Sequence, residues 1–166
     1  MWKLLSHHSH PPQPLAITMP ATYTSLHYHL VFSTKNREPM ISDRWRSQFH
    51  EQLSTLVKEL QGLPLAIGGM SDHVHLLLGL KAAHCLADFI RDLKKESTHW
   101  VMVTLEPPDF GWHEGYTAIS ISPMALEAVR AHILNQEAHH RQRTHREELV
   151  EMLIQAGIPF NERHLD

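Results

Sequence analysis

The hydrophobic period of this chain switches repeatedly between that of a strand and that of a helix, and the order of the switches leaves few folds open. The stretch "TYTSLHYHLVFSTK" (22–35) is rich in β-branched and aromatic residues in rough alternation and predicts a first strand. "KNREP" then turns the chain. From Asp43 to Leu60, the residues Trp45, Phe49, Leu53, Leu56 and Leu60 recur at steps of three and four, the spacing of an amphipathic helix, and Gly62 stops it. "LPLAIGGM" (63–70) and "HVHLLLGL" (73–80) are short apolar runs parted by Ser71-Asp72, the pattern of a hairpin of buried strands. Leu86, Phe89, Ile90, Leu93, Trp100 and Val101 mark a second helix from Cys85 to about Thr104, broken by "EPPDFGWHE". "GYTAISIS" (115–122) is the next strand. Ser122 and Pro123 open a third helix that runs to about His140 on the stripe Leu126, Val129 and Ile133. Thr144 and Glu147 form a capping box for a last helix ending near Gly157.

The order β-α-β-β-α-β followed by two helices predicts an α+β fold. It is the ferredoxin-like split βαβ arrangement, an antiparallel sheet with two C-terminal helices added. In that topology the first and third strands are adjacent and central. A chain of 166 residues, 42% of them hydrophobic, suits one domain with a real core, expected over 21–166. The leading "MWKLLSHHSHPPQPLAITMP" (1–20) is rich in His and Pro and is expected to be disordered, and Met19 is a candidate alternative start. It lacks the long apolar centre of a signal peptide. No apolar stretch approaches the ~20 residues that span a bilayer, so no membrane partner is expected. Cys85, the one cysteine, cannot form an intramolecular disulfide, which fits a reducing compartment and predicts a cytoplasmic protein. The net charge of −3 provides no general basic field, so nucleic-acid binding would need a local patch.

Chemistry points to the histidines. With 16 of them, chance alone gives roughly one or two His-x-His pairs, and the chain has three: His8/His10, His27/His29 and His73/His75. Residues i and i+2 of a strand face the same side. His73 and His75 therefore present two imidazoles together on a central strand, with Val74 turned to the core. Imidazole is a good ligand for divalent transition metals, and Asp72 is placed to be a ligand or an outer acceptor. Spacing alone equally describes two hydrogen-bonded histidines at a strand end. His27/His29 has the same geometry and can support the first pair, contact DNA or be structural. His8/His10 belongs to the solvated tail.

"DHVHLLLGL", preceded by "YHLVFSTKNREP" and followed by "SISPMALEAVRAHILNQEAHHR", adds context. Together these stretches resemble the HUH-class single-strand DNA tyrosine transposases of the smallest bacterial insertion sequences, the IS200-like type. They are closer still to the REP-associated tyrosine transposases. The resemblance covers about residues 21–166. It implies a homodimer that binds single-stranded or hairpin DNA, with active sites shared between the two copies in the best-known members. It also implies that the His pair and a helix Gln hold Mg²⁺ or Mn²⁺. The metal polarises a phosphate, and a helix tyrosine attacks it to give a 5′-phosphotyrosine and a free 3′-OH.

Carried over by position, His73 and His75 match the metal pair and Gln136 matches the helix ligand. The tyrosine position, one turn before Gln136, holds His132. The chain's tyrosines are Tyr23, Tyr28 and Tyr116, and none lies on that helix. Three outcomes stay open: loss of cleavage with DNA binding kept, nicking through His132 or water, and rescue by Tyr116 or an engineered or erroneous residue at position 132. The protein is thus read as a transposase-type endonuclease and strand transferase with a compromised nucleophile, or as a domesticated, non-cleaving hairpin binder. A metal-responsive or purely structural domain would explain the fold but not the Gln136 spacing. Candidate phosphate contacts are Lys35, Asn36 and Arg37, then Arg91, Lys94 and Lys95, then Arg141, Arg143 and Arg146, each cluster being equally readable as a solvated face. Trp45 and Trp100 fall on apolar stripes and are expected in the core, while Trp112 is open.

Overall fold

Strands β1 (His27–Ser33), β2 (Leu63–Gly69), β3 (His73–Gly79) and β4 (Thr117–Ile121) pair into one sheet of order β2-β3-β1-β4. Every pairing is antiparallel, and β1 and β3 are central, as the split βαβ order requires. The structure is a computed structural model that describes residues 23–105, 109–136, 144–161 and 165. The expectation of a disordered segment over 1–20 lies outside the described residues, as do Arg141 and Arg143.

Strand β1 is shorter than its sequence pattern. It ends where Thr34 leaves the ladder: the Thr34 amide donates to the Asp72 carbonyl at 2.8 Å, and a 3₁₀ turn follows over Lys35–Arg37.

Alternation along the strands divides the sheet into two faces. Leu30 and Phe32 of β1 and Val74, Leu76 and Leu78 of β3 point to one face. There they meet Phe49, Leu53, Leu56 and Val57 of α1 (Arg46–Glu59) and Phe89, Ile90, Leu93 and Val101 of α2 (Leu86–Thr104). Trp45 and Trp100 pack against this layer, as their spacing predicts. Trp112 joins it edge-on to Phe32 at 4.7 Å, and its indole N–H donates to Ser97 Oγ at 3.0 Å.

The other face carries less apolar surface. Ala66, Leu77 and Ile133 form a small cluster with Leu126 and Val129, which seats α3 (Leu126–Leu134). Gly68 lets that helix come close, because a Cβ there would lie 2.2 Å from the Ile133 carbonyl oxygen. A 3₁₀ turn over Pro123–Ala125 precedes α3, and Ser122 makes no side-chain capping bond. The third helix is expected to reach His140; α3 ends at Leu134, and residues 137–143 are not described. The last helix, α4 (His145–Gln155), begins with the predicted capping box. The Glu147 amide donates to Thr144 Oγ1, and the Thr144 amide donates to Glu147 Oε2 at 2.8 Å. Among the described residues, no helix is long and apolar enough to cross a membrane.

Candidate metal and DNA site

The pairing of β1 with β3 places Ser33 opposite His73, Val31 opposite His75 and His29 opposite Leu77. His29, His73 and His75 therefore share the face turned to α3 and α4, with His29 diagonal to His75. All three are buried. His29 Nε2 and His75 Nδ1 lie 3.0 Å apart. Burial, with the nearby His132 adding to it, lowers the His29 pKa to about 4. Burial, then His29 and His73, holds His75 well below the usual histidine range. Both rings are thus neutral. In the tautomer in which His75 Nδ1–H donates to His29, His75 Nε2 keeps its lone pair; that atom is buried without a hydrogen-bond partner among the described residues.

His73 is oriented from the other side. Its Nδ1–H donates to Asp72 Oδ1 at 2.7 Å, which in the neutral ring leaves Nε2 as the nitrogen without a proton. Thr34 holds the Asp72 backbone in place, through its amide and through Oγ1 at 3.1 Å. Burial opposes ionisation of Asp72, but the His73 hydrogen bond and the nearby His73 and His145 rings keep its pKa below the ordinary value. A carboxylate or a second imidazole behind each ring nitrogen is the arrangement that fixes the tautomer of a metal-binding histidine.

Helix α4 brings two groups that the sequence reading missed, His145 and Glu148. The His145 ring stacks on His73, with centroids 3.8 Å apart and planes 10° from parallel. Its Nε2 lies 3.3 Å from Ser33 Oγ. Burial, then His73, lowers the His145 pKa to about 3, against the pull of Asp72. Glu148 Oε1 accepts from His132 Nε2–H at 2.6 Å and from Gln136 Nε2 at 3.0 Å, and Oε2 lies 3.7 Å from His75 Nε2. One ligand atom from each of His73, His75, His145 and Glu148 lies within 4.8 Å of the others, a grouping able to hold a metal ion. Gln136 Oε1 is also buried, without a hydrogen-bond partner among the described residues.

The structure thus gathers His73, His75, His132 and Gln136, with His29 and Asp72 behind them. A sequence signal for the missed pair existed. His145 and Glu148 are three apart on a capped helix and so share a face. In a histidine-rich chain that spacing carries little weight until the packing of α4 is known.

The predicted phosphate contacts do not converge on one place. Lys35 and Asn36 are exposed on the turn after β1. Arg37 joins Tyr116, His113 and His145 around a cavity of about 140 Å³. Arg91, Lys94 and Lys95 belong to α2, which packs on the other face of the sheet. Arg91 pairs with Asp88 and Asp92, and Lys95 with Glu96. Lys94 donates to the carbonyls of His113, Glu114 and Gly115 at 2.8, 3.1 and 2.8 Å, tying down the loop before β4, and burial lowers its pKa to about 8.

The split βαβ fold is matched by known proteins. The family described as "Transposase IS200 like" matches residues 22–136, and the chain belongs to that family. A crystal structure of a candidate transposase from Deinococcus radiodurans R1 is 25% identical, with a TM-score of 0.56, and the match covers 72% of this chain and 98% of that one. A REP-associated tyrosine transposase bound to a REP hairpin is similar in fold, at 12% identity and a TM-score of 0.54, over 74% of each chain. No curated protein matches. The family match ends at Gln136, so His145 and Glu148 lie beyond it.

Proposed function

We propose that this protein is a DNA-hairpin-binding, dimeric member of the transposase family that holds a divalent metal on His73 and His75 and no longer forms a covalent tyrosine–DNA intermediate. The observation that carries this reading is the 2.6 Å hydrogen bond from His132 to Glu148. Where the resemblance implies a tyrosine nucleophile, the chain has an imidazole already bound to a carboxylate. The chemistry agrees. A phenol attacking phosphorus gives a stable diester that survives strand exchange, whereas a histidine phosphoramidate hydrolyses.

The metal reading is supported by the outer partners, Asp72 on His73 and His29 on His75. A bound ion supplies positive charge that can fix a DNA phosphate. Gln136, for which the resemblance implies a ligand role, holds Glu148 through its amide nitrogen, and its carbonyl oxygen is buried. Arg37 supplies a cationic group at the cavity beside His145. The hairpin-bound relative of the same fold supports hairpin DNA as the ligand class.

The test mixes the protein with labelled hairpins that carry single-stranded extensions, taken from the flanks of its own gene, with Mg²⁺ or Mn²⁺. A retarded band on a native gel and no covalent adduct on a denaturing gel are expected. An adduct formed by the natural protein overturns the reading. One observation favours a second reading: Tyr116 is exposed and lines the cavity shared with Arg37 and His145. An adduct that persists in His132→Ala and vanishes in Tyr116→Phe would assign the attack to that phenol.

A further inference from the structure

A metal held only by two histidines and a glutamine keeps several positions open to water and phosphate. Here helix α4 lays two more donors against the same point. We propose that His73, His75, His145 and Glu148 form a closed, four-ligand centre for a borderline transition metal of the Zn²⁺ class, with α4 as part of the coordination shell. This rests on the metal-site reading above and changes which metal is bound and what it does.

The donor set argues for that class. Three imidazoles and one carboxylate suit Zn²⁺, Co²⁺ or Ni²⁺, whereas Mg²⁺ prefers an all-oxygen shell and keeps several waters. All four side chains are buried, which leaves little room for such waters. Each has an outer partner: Asp72 for His73, His29 for His75, Ser33 for His145, and His132 with Gln136 for Glu148. The Glu148 carboxylate offsets part of the ion's charge inside the protein.

The dimensions nearly fit. Tetrahedral bonds of about 2.0–2.1 Å put ligand atoms roughly 3.3–3.4 Å apart. His75 Nε2 and Glu148 Oε2 are already 3.7 Å apart, and the four groups need to contract from a spread of 4.8 Å. His145 must also turn. The lone pair of an imidazole nitrogen lies in the ring plane, so two rings stacked 3.8 Å apart and nearly parallel cannot both aim at one ion. Binding therefore breaks the stack between His73 and His145 and draws the start of α4 onto the sheet.

The consequence is functional. A centre closed by four protein ligands has no position for a scissile phosphate, as in structural zinc sites. The metal then fixes α4 against the sheet instead of activating DNA. His132 becomes a positioning residue: it orients the carboxylate that closes the shell.

The test uses the full chain stripped of metal. Zn²⁺ is competed from a chromogenic chelator, which separates a tight site from loose binding by the chain's other histidines. Melting is followed with EDTA, Zn²⁺ or millimolar Mg²⁺, and the Co²⁺ form is examined by visible absorption. One tight equivalent of Zn²⁺, a melting temperature raised by Zn²⁺ but not by Mg²⁺, and the intense Co²⁺ bands of four-coordination are expected. His145→Ala and Glu148→Gln should each weaken Zn²⁺ by roughly tenfold or more, with their metal-free melting showing that they fold.

Zinc affinity unchanged in both variants overturns the four-ligand centre while leaving a two-histidine site standing. Equal stabilisation by Mg²⁺, or weak octahedral Co²⁺ bands, also overturns it and needs no variant. Absence of any tight metal removes both the centre and the metal part of the proposed function. Hairpin binding measured in EDTA reports on the DNA part alone.

Discussion

On β3, Val74, Leu76 and Leu78 enter the apolar layer made with α1 and α2, while His73 and His75, one residue out of phase, meet α3 and α4. The same strand thus serves a dry core on one side and a buried polar cluster on the other. The first face makes the strand rigid through close-packed aliphatic and aromatic side chains. The second face uses that rigidity, because imidazoles on a fixed central strand hold their spacing without a ligand. Buried polar groups are costly unless paired. Here the pairing includes Asp72 behind His73 and His29 behind His75. On the proposed reading, stability and metal binding are separated by a shift of one residue.

That contrast can be broken from either side. The largest effect is expected on the apolar face. Leu76→Ala opens a cavity in a fully buried layer and should cost about 2–5 kcal/mol in a urea titration of the metal-free protein. A loss well under that would mean the apolar face is not what anchors the strand.

Acidification, which acts on the polar face, comes next. With EDTA present, His29, His75 and His145 have folded-state pKa values below the ordinary 6.5, at about 4, well below 6.5 and about 3 respectively. His50 of α1, lowered to about 4 by burial and then Arg46, adds to them. Between those values and 6.5 the unfolded chain binds more protons than the folded one. Stability is therefore full above the unfolded pKa and falls as the pH drops from there. Asp72, with a lowered carboxyl pKa, contributes stability that is lost only at still lower pH, so it does not cancel the trend in this window. The melting temperature should fall steadily from neutral pH to about pH 4.5, and a flat profile would show that the cluster is not buried neutral.

A smaller, local effect sharpens the comparison. Gly68→Ala pushes a methyl group against the Ile133 carbonyl and should cost about 1–3 kcal/mol. Because α3 carries His132 toward Glu148, that variant should weaken metal binding by more than its loss of stability explains. Unchanged metal affinity would mean that the seat of α3 does not matter to the cluster.

The contrast also explains what could be read in advance. Period-two alternation identifies β1 and β3, and the order of elements makes them neighbours, so His73 and His75 stand out before any coordinates are known. His29 shares their pattern, but its bond to His75 depends on the β1–β3 register. The sequence pattern of β1 reaches further back than the strand: Tyr23 and Leu26 precede its first residue, His27, although the Leu80 amide, just past β3, still donates to the Leu26 carbonyl at 2.9 Å. The shared helix face of His145 and Glu148 is legible, but their role is not, because it comes from the docking of α4 against strands far away in the chain. Lys94 shows the converse limit. It sits in a basic cluster by sequence, but its ammonium group serves loop carbonyls about 20 residues further on.

The most direct test of the polar face as a metal centre is anomalous diffraction from crystals of the full chain grown with zinc, recorded on both sides of the zinc edge. One dominant peak bonded to His73 and His75 at about 2.0–2.1 Å is expected, with His145 turned out of its stack and Glu148 completing the shell. Zinc found only elsewhere, such as at the N-terminal histidines, with the bonds of His73 to Asp72 and of His132 to Glu148 unchanged, would contradict it.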